Sequence, residues 1–287
     1  MFSYRHAFHA GNHADVLKHL VLIHSAQYLQ EKDGAVMFID THAGAGIYSL
    51  RDGYAVISQE SQGGIDRLWA SPEFDNSDFK PYREVIVDCN PKGALDVYPG
   101  SPLIMAHLLR SQDRLRLFEL HPSDIGVLQT NIASLDKRSQ IEVRQHDGFT
   151  CLKSLLPPPS RRGLILMDPS YELKSDYRAV ETSLHEALDR FATGTYLIWY
   201  PVLQRPESKQ LIKRLRTLSE QFQRPWLRAE LRIAHSVGEK RLQASGVWVM
   251  NPVWTLAPFL ERALPILQRV LGEDTGARFD LETSSPA

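Results

Sequence analysis

The chain has 287 residues, of which 43% are hydrophobic and 23% are charged. These values are those of an ordinary globular protein and exclude a disordered or fibrous class. The length suffices for one large α/β domain or two small ones. Because the formal net charge is only −1, any polyanionic partner must be met by a local basic patch and not by global attraction.

The sequence carries no signal for export or membrane insertion. Residues 1–6 lack the apolar core of a signal peptide, and no apolar run approaches the ~20 residues of a membrane span. The two cysteines, Cys89 and Cys151, argue against a disulfide framework and lie outside any metal-ligand spacing. We therefore expect a cytoplasmic protein that does not bind membranes, with both cysteines as ordinary thiols.

Strands and helices alternate along the chain. Short apolar runs predict strands at 35–40, 115–119, 141–147, 164–168 and 195–200. Apolar residues at helical spacing predict helices at 12–31, 101–110, 122–133, 148–155 and 176–191. The remaining elements are paired strands at 229–234 and 246–250, a helix at 257–271, and a polar, frayed tail after Gly272. This order is typical of βαβ units, so we predict an α/β fold with a largely parallel sheet and a C-terminal antiparallel hairpin.

Residues 51–97 interrupt this alternation. They contain no strong strand pattern, and apolar clusters at 65–69 and 79–86 suit two short helices. The segment has nine acidic and five basic residues, which makes it a poor primary surface for nucleic acid. We predict that 51–97 is a helical insertion subdomain within a single domain that spans 1–287, and we expect that domain to be a monomer.

Four of the predicted strands end in an acidic residue, namely Asp40, Glu119, Asp147 and Asp168. The carboxyl ends of parallel strands meet at one edge of a sheet, and open α/β sheets bind their ligands there. The loop D-T-H-A-G-A-G that starts at Asp40 lacks the third glycine of a dinucleotide fingerprint, so it suits a nucleoside cofactor without a pyrophosphate. Glu119 could accept both ribose hydroxyls, and Asp147 could accept from an adenine amino group.

Asp168-Pro169-Ser170-Tyr171, directly after the strand at 164–168, is the most informative motif. The Asp168 carboxylate and the Pro169 carbonyl can each accept a hydrogen bond from an exocyclic NH2 group. Tyr171 can stack on the ring that carries this group. The motif therefore favours a site that grips a planar, amino-substituted base.

Simpler roles stay open for each of these residues taken alone. An Asp-Pro string often begins a turn, and Glu119 and Asp147 could cap the helices that follow them. Five of the eleven histidines fall within the first 24 residues, but no cysteine accompanies them and the glutamate of an H-E-x-x-H motif is absent. We therefore predict no metal site. Four acidic residues in this order, with a glycine loop after the first and D-P-S-Y at the last, are much harder to obtain by chance than any one of them alone.

The order of these motifs resembles that of S-adenosylmethionine-dependent methyltransferases. D-P-S-Y is similar to the [DNS]-P-P-[YF] motif of the amino-methyltransferases, which modify adenine N6 or cytosine N4, although Ser170 replaces the second proline. Further runs resemble the RlmJ family of 23S rRNA adenine-N6 methyltransferases over nearly the whole chain. These runs are 4–19, 40–46, 98–103, 119–124, 161–166, 191–196 and 199–201.

The resemblance implies a Rossmann-like class I methyltransferase fold with a seven-stranded, mostly parallel sheet. It implies S-adenosyl-L-methionine as cofactor, S-adenosyl-L-homocysteine as product, and no metal. With Gly44 of the glycine loop, the cofactor-binding set is His19, His42, Gly44, Ser101, Glu119, Asp147, Gly148 and Asp168. The substrate-binding set is Tyr4, Lys18, Pro169 and Tyr171, and the catalytic residue is Asp168.

The implied substrate is adenine 2030 of protein-free 23S rRNA, with the base flipped out of its stack. We expect Arg5, Lys18 and Lys240 to contact the RNA, with Arg161-Arg162 and the basic helix at 209–216 as further candidates. Two other functions stay open. A DNA adenine-N6 or cytosine-N4 methyltransferase would carry the same motif, although no DNA-reading domain is apparent. A non-catalytic RNA-binding protein would not be stabilised by the cofactor.

Overall fold

A central β-sheet with helices on both faces organises the fold. The computed structural model describes residues 5–235 and 242–284, without the side chains of 54–56. A second sheet of two strands is separate from the main one. In the described part of the chain, no helix combines the length and apolar character that a membrane crossing requires.

The strands, in chain order, are β1 (Met37–Asp40), β2 (Ile47–Ser49), β3 (Val97–Pro99), β4 (Arg114–Glu119), β5 (Ile141–Gln145), β6 (Gly163–Met167), β7 (Thr195–Pro201), β8 (Trp226–Arg232), β9 (Ala244–Met250) and β10 (Arg278–Thr283). The order in the main sheet is β10-β8-β9-β7-β6-β1-β4-β5. Neighbours from β7 to β5 are parallel. The pairs β7–β9, β9–β8 and β8–β10 are antiparallel.

The α-helices are α1 (His13–Gln30), α2 (Gly53–Ser58), α3 (Ile65–Ala70), α4 (Lys80–Cys89), α5 (Ser101–Leu108), α6 (Pro122–Ala133), α7 (Gly148–Leu155), α8 (Lys174–Phe191), α9 (Pro206–Gln221) and α10 (Leu256–Leu271). The first of them, α1, is capped by Asn12, whose side chain accepts from the backbone N–H groups of Ala14 and Asp15. This helix is buried over most of its surface and carries Asp15, Lys18 and His19 into the interior.

The sheet is covered on both faces because its central strands are apolar throughout. β1 and β6 are buried at every position, which is the pattern of parallel strands between two helical layers. On one face, α1, α5 and α10 contribute to the larger hydrophobic cluster. On the other face, α7, α8 and α9 form a second cluster with the sheet. The carboxyl ends of β1, β4, β5 and β6 consequently share one open edge.

The predicted α/β fold with a mostly parallel sheet is confirmed, but the prediction of seven strands is wrong, because the main sheet has eight. The additional strand, β10, lies in the C-terminal tail, where the sequence predicts fraying. Phe279 and Leu281 alternate there with polar residues, as in a half-buried strand. All six residues of β10 pair with β8. The alternation is short and lies among charged residues, which makes it a weak signal.

Residues 51–97 contain three helices and two short 3-10 helices between β2 and β3. The two predicted short helices are present as α3 and α4. β2 pairs with β3, with Ile47 opposite Pro99, so the two ends of the segment lie together. Ile65, Phe74 and Tyr82 join the larger hydrophobic cluster. The segment thus shares a core with α1, and its status as an insertion within a single domain stays a prediction.

Candidate active site

Two adjoining cavities open at the carboxyl ends of the parallel strands. The first cavity has a volume of about 390 Å³ and is lined by residues that follow β1, β4, β5 and β6. The second cavity, of about 380 Å³, extends toward β7, β8 and β9. His6, Lys18, Asp168 and Ser170 line both, so these four residues form a shared wall.

The glycine loop after β1 lies against the carboxylate at the end of β4. Gly44 and Gly46 have φ angles of +63° and +88°, in the left-handed region that favours glycine. The Gly44 N–H group donates to Glu119 Oε2 at 2.7 Å. A Cβ atom on Gly44 would overlap the Tyr48 hydroxyl. The loop therefore needs glycine to reach its position at the cavity.

Glu119 lines the first cavity at the carboxyl end of β4. Its Oε1 atom accepts from the His121 N–H group at 2.6 Å. His121, and not Glu119, caps α6, because the His121 ring accepts from the Ser123 N–H group. Each carboxylate oxygen has a second lone pair, so Glu119 can still accept from a ligand. Burial raises the pKa of Glu119, in keeping with a partly dehydrated site.

Asp147 is both a helix cap and part of the cavity wall. Its Oδ1 atom accepts from the Phe149 N–H group at 2.9 Å, at the beginning of α7. The next residue, Gly148, lies so close to the loop after β1 that a Cβ atom would overlap the Thr41 carbonyl oxygen. Asp147 and Gly148 also line the first cavity. The capping role that the sequence left open is therefore present and coexists with a place at the cavity.

A buried array of charges joins α1 to the Asp-Pro-Ser-Tyr motif. Lys18 Nζ donates to Asp168 Oδ2 at 2.5 Å and to Asp15 Oδ1 at 2.7 Å. The other oxygen of Asp15 lies 3.0 Å from His6 Nε2 and accepts from the Gly11 N–H group. The side chain of Lys18 is only 3% exposed, whereas that of Asp168 is 12% exposed. Among the described residues Asp168 Oδ1 has no hydrogen-bond partner, which leaves it able to accept from a substrate.

The charges of this array stabilise one another. Burial alone would lower the pKa of Lys18, but Asp15 and Asp168 raise it above its ordinary value. Burial alone would raise the pKa of Asp15, but His6 and Lys18 hold it well below its ordinary value. Lys18 is therefore an ammonium group at neutral pH, and it places a positive charge beside the Asp168 carboxylate.

Two histidines of the first cavity are neutral, because burial lowers the pKa of His19 well below its ordinary value and that of His42 to about 3. His19 Nδ1 lies 2.7 Å from the Tyr98 hydroxyl, while its buried Nε2 has no partner among the described residues. His42 Nδ1 lies 2.8 Å from Thr41 Oγ1, whose hydroxyl donates to the Leu166 carbonyl. His42 Nδ1 is therefore assigned as the donor to Thr41, which leaves Nε2 as an acceptor.

Asp40 lines neither cavity, but it contacts residues that line the first cavity. Its Oδ2 atom accepts from the Ser101 hydroxyl at 2.7 Å, at the beginning of α5. Its Oδ1 atom accepts from the His42 N–H group at 3.2 Å. Burial raises the pKa of Asp40 to about 7, and the neighbouring Asp168 carboxylate adds to this rise. Asp40 thus connects Ser101, which lines the first cavity, to the glycine loop.

The last residues of the motif lie deep in the structure. Pro169 is buried and lines the first cavity. Tyr171 is 3% exposed, and its hydroxyl donates to the Trp199 carbonyl at 2.7 Å. The φ angle of +53° at Tyr171 is unfavourable for a bulky residue, and such strain is found at functional sites. Tyr171 and Trp199 both line the second cavity, so a ligand there would meet only the cavity-facing part of each ring.

The two cavities differ in charge. Lys18 is the one Lys or Arg among the described residues that line the first cavity, against six carboxylates, namely Glu119, Asp124, Asp147, Asp168, Glu172 and Asp176. The second cavity has two carboxylates, Asp15 and Asp168, and both are paired with Lys18. Arg205 and Arg232 add positive charge to the second cavity. The first cavity therefore favours a cationic ligand, and the second favours an anionic one.

Sequence reasoning missed three residues of this site, namely His6, Asp15 and Trp199. Asp15 had a detectable signal, because it lies one helical turn before Lys18 and can pair with it along α1. His6 and Trp199 gave no such signal, since their contacts with Asp15 and Tyr171 join residues 9 and 28 positions apart.

The basic residues expected to bind RNA have different positions. Tyr4 of the predicted substrate set and Lys240 lie outside the described residues. Arg5 is near the site, with its guanidinium 3.8 Å from Asp124. Arg162 donates to the carbonyls of Leu29 and Gly34 at the amino end of β6, which is the end opposite the cavities. On α9, Arg214 is paired with Glu181 and Arg216 with Glu282.

Potential metal ligands are not gathered anywhere in residues 5–235 and 242–284. No group of three or more His, Cys, Asp or Glu side chains in these ranges has an arrangement that could hold a metal ion.

The fold and the two joined cavities define an α/β protein with a nucleoside-sized pocket at the carboxyl edge of its sheet. The chain belongs to the RlmJ family of methyltransferases, because the family described as ribosomal RNA large subunit methyltransferase D, RlmJ, matches residues 33–281.

Two curated relatives are similar over nearly all or all of their length. Ribosomal RNA large subunit methyltransferase J of Escherichia coli is 45% identical over 271 residues, which is 94% of each chain. The Haemophilus influenzae protein of the same name is 42% identical over 287 residues, which is 100% of each chain. A crystal structure of a Legionella pneumophila protein is 35% identical, with a TM-score of 0.87 over 96% of this chain and 99% of that one.

Proposed function

We propose that this protein transfers a methyl group from S-adenosyl-L-methionine to the exocyclic N6 atom of an adenine in 23S rRNA. The observation that carries the proposal is the shared wall, where Asp168 and Lys18 face both cavities. A cofactor in the first cavity and a base in the second would meet there. The family resemblance points to adenine 2030 of protein-free 23S rRNA, and the chain would act as a cytoplasmic monomer.

The residues of the first cavity fit the proposed cofactor. S-adenosylmethionine carries a sulfonium, an ammonium and a carboxylate, so its net positive charge suits a wall of six carboxylates. The unpartnered Nε2 atom of His19 offers a hydrogen bond to a polar group inside the cavity. Gly44 and Gly148 permit the close packing of the cavity wall, because a Cβ atom would overlap the Tyr48 hydroxyl at Gly44 and the Thr41 carbonyl oxygen at Gly148. We assign cofactor binding to His19, His42, Gly44, Ser101, Glu119, Asp147, Gly148 and Asp168.

Asp168 is the proposed catalytic residue. One of its carboxylate oxygens, Oδ2, accepts from Lys18, while Oδ1 has no partner among the described residues and can accept a hydrogen bond from the amino group of the base. The Pro169 carbonyl would accept the second amino hydrogen. Lys18 donates to Oδ2 and fixes the orientation of the carboxylate. A carboxylate held in this way would orient the base for the transfer.

The chemistry then depends mainly on position and charge. The N6 lone pair of adenine is delocalised into the ring, and two hydrogen bonds from the amino group would draw the lone pair out of conjugation and aim it. When bound, the cofactor supplies an electrophilic methyl group with a good leaving group. Asp168 would accept the amino proton, or pass it to solvent, once nitrogen has gained the methyl group. Most of the rate gain would come from orientation and electrostatics.

The target base must leave its stack to enter the second cavity. Trp199 and Tyr171 line this cavity and would replace part of the lost stacking, which is worth roughly 1–3 kcal/mol per base. The Tyr171 hydroxyl donates to the backbone carbonyl of Trp199, and the centroids of the two rings lie 5.9 Å apart. This pair of rings supports a site for a planar base.

The test is methyl transfer from labelled S-adenosylmethionine to 23S rRNA, followed by nucleoside mass spectrometry of the product. We expect N6-methyladenosine from the parent protein and none from Asp168→Ala, which removes the oxygen atoms that would accept from the amino group. S-adenosylmethionine should still raise the melting temperature of Asp168→Ala, because the other seven assigned cofactor residues are unchanged.

The same assay separates the alternatives. Methylcytosine as product, or transfer to duplex DNA in place of rRNA, would replace the proposal by a DNA-type amino-methyltransferase. If the cofactor stabilised neither protein, the non-catalytic RNA-binding function would stand instead.

A further inference from the structure

The second cavity extends beyond the base-sized region near Asp168. Arg232 at the end of β8 and Gln243 just before β9 line its far side, and Arg205 lies there at the beginning of α9. Lys18 already compensates the two carboxylates of this cavity, Asp15 and Asp168. The far side of the cavity is therefore positively charged.

Arg232 has a second arginine directly opposite it in the sheet. In the antiparallel ladder between β8 and β10, Arg232 is the register partner of Arg278. Side chains of opposed residues lie on the same face about 5 Å apart at Cβ, and like charges in this position are destabilising. Burial lowers the pKa of Arg232, and the charge of Arg278 adds to this effect. The two side chains thus start from opposed positions on one face of the sheet, and the repulsion between their like charges costs stability.

Of the next two pairs on this face of the ladder, only one joins opposite charges. Arg228 is opposite Glu282 and donates to it at 2.7 Å. By contrast, the guanidinium groups of Arg232 and Arg278 make no hydrogen bond or ion pair within residues 5–235 and 242–284. Glu230 and Asp280, two residues along, are a second like-charge pair, and these carboxylates attract Arg232 without forming an ion pair within 4 Å. If the two arginines had only a structural role, Glu230 and Asp280 would balance their positive charge diagonally across the ladder.

We infer that Arg232 and Arg278 together bind a backbone phosphate of the RNA strand beside the flipped nucleotide. The inference rests on the proposed function, because it places the base at Asp168 and its flanking phosphate at the far side of the same cavity. Guanidinium groups match phosphate oxygens in geometry and charge. A bound phosphate would also relieve the repulsion between the two arginines. For a protein with a net charge of −1, such a local pair supplies the attraction that the whole chain lacks.

The experiment compares Arg232→Gln, Arg278→Gln and the double variant with Arg138→Gln. Arg138 is an exposed arginine just before β5, at the opposite edge of the main sheet, so its replacement makes the same change of charge elsewhere. An RNA oligonucleotide that contains the mapped target adenine is used for equilibrium binding at several salt concentrations and for methyl transfer with labelled S-adenosylmethionine.

We expect Arg232→Gln to raise the KM for RNA about tenfold while kcat and cofactor binding stay near the parent values. The slope of log K against log salt should fall in magnitude by about 0.7 to 0.9 for each phosphate that the variant no longer neutralises. Arg232→Lys should restore part of this slope. The melting temperature of Arg232→Gln should be unchanged or higher, since a repulsion is removed, whereas diagonal compensation by Glu230 and Asp280 predicts a lower one.

A neutral methylphosphonate at the target nucleotide localises the phosphate site. It should weaken RNA binding to the parent protein but cause no further weakening in the double variant. An RNA KM and salt slope equal to those of Arg138→Gln, in a protein that methylates the RNA normally, would overturn this inference alone. Absence of methyl transfer by the parent protein would instead overturn the proposed function.

Discussion

Lys18 and Asp168 form a hydrogen-bonded ion pair of 2.5 Å although they lie 150 positions apart in the sequence. Lys18 is on the buried helix α1, and Asp168 follows the central strand β6. The pair lies at the wall that the two cavities share. It therefore couples the position of α1 to the position of the carboxylate that we propose as the catalytic group.

Lys18→Met tests this coupling. The substitution leaves Asp15 and Asp168 as buried carboxylates without their cation, and breaking such a pair costs about 3–5 kcal/mol. We expect the free energy of unfolding, measured in urea, to fall by this amount and methyl transfer to be abolished. Lys80→Met, an exposed lysine of α4 that lies 3.9 Å from Glu84, should change stability by less than about 1 kcal/mol. Equal effects of the two substitutions would contradict the claim that the buried ion pairs of Lys18 stabilise the protein.

Asp15→Asn tests the second carboxylate of the array. Lys18 keeps Asp168 as a partner but loses one charge-assisted hydrogen bond, which is worth about 1.5–3 kcal/mol. We expect this decrease in stability, together with a lower kcat at an unchanged KM for the cofactor, because Lys18 and His6 are no longer fixed. Asp75→Asn removes an exposed partner of Arg83 and serves as the control. Parent-like kcat in Asp15→Asn would show that its role is only structural.

Gly148→Ala tests the close packing of α7 against the loop after β1. The new methyl group would overlap the Thr41 carbonyl oxygen, so the loop must move, at a cost of about 1–3 kcal/mol. We expect weaker cofactor binding, seen as a smaller thermal shift with S-adenosylmethionine. Gly126→Ala is the matched control, since Gly126 is in α6 with open space around it, and it should raise stability by about 1 kcal/mol. A normal cofactor shift in Gly148→Ala would argue against this site.

Asp40→Asn tests the pH dependence of stability. Burial raises the pKa of Asp40 to about 7, well above the ordinary value for an aspartic acid. Its contribution is therefore fully present below about pH 4 and is lost as pH rises through about 7. Asn cannot ionise, so the stability of Asp40→Asn relative to the parent should grow by about 4 kcal/mol between these limits and then stay constant.

Asp15→Asn should show the opposite sign in the same titration. The pKa of Asp15 is held below its ordinary value by His6 and Lys18, despite burial, so its contribution is present above about pH 4 and lost in acid. Relative to the parent, Asp15→Asn should therefore be equally destabilised at all pH values above about 4, and this difference should shrink as the pH falls below about 4. Denaturant unfolding at about pH 2.5, 4, 5.5, 7 and 8.5 provides both comparisons. Parallel curves for the two variants would refute the pKa assignments.

The sequence alone predicted the parts of the fold that depend on local periodicity. The helix at 148–155 and the helix at 122–133 are observed with the predicted bounds. The acids Asp40, Glu119 and Asp168 lie at the carboxyl ends of parallel strands because a parallel sheet places all such ends on one edge. Their meeting at one site therefore follows from strand order and direction. The eighth strand escaped prediction because its signal is only two apolar residues, Phe279 and Leu281.

The tertiary structure decided which of these groups contact one another. The array from His6 through Asp15 and Lys18 to Asp168 joins three segments, and no local pattern specifies such long-range pairs. The same holds for Arg232 and Arg278, which become neighbours only through the register of β8 and β10. Sequence periodicity determines which face of an element is buried, whereas packing and strand register determine which charges lie within hydrogen-bonding distance. The sequence by itself thus determines most of the helices and strands of this protein, whereas the tertiary structure determines which of its charged residues pair.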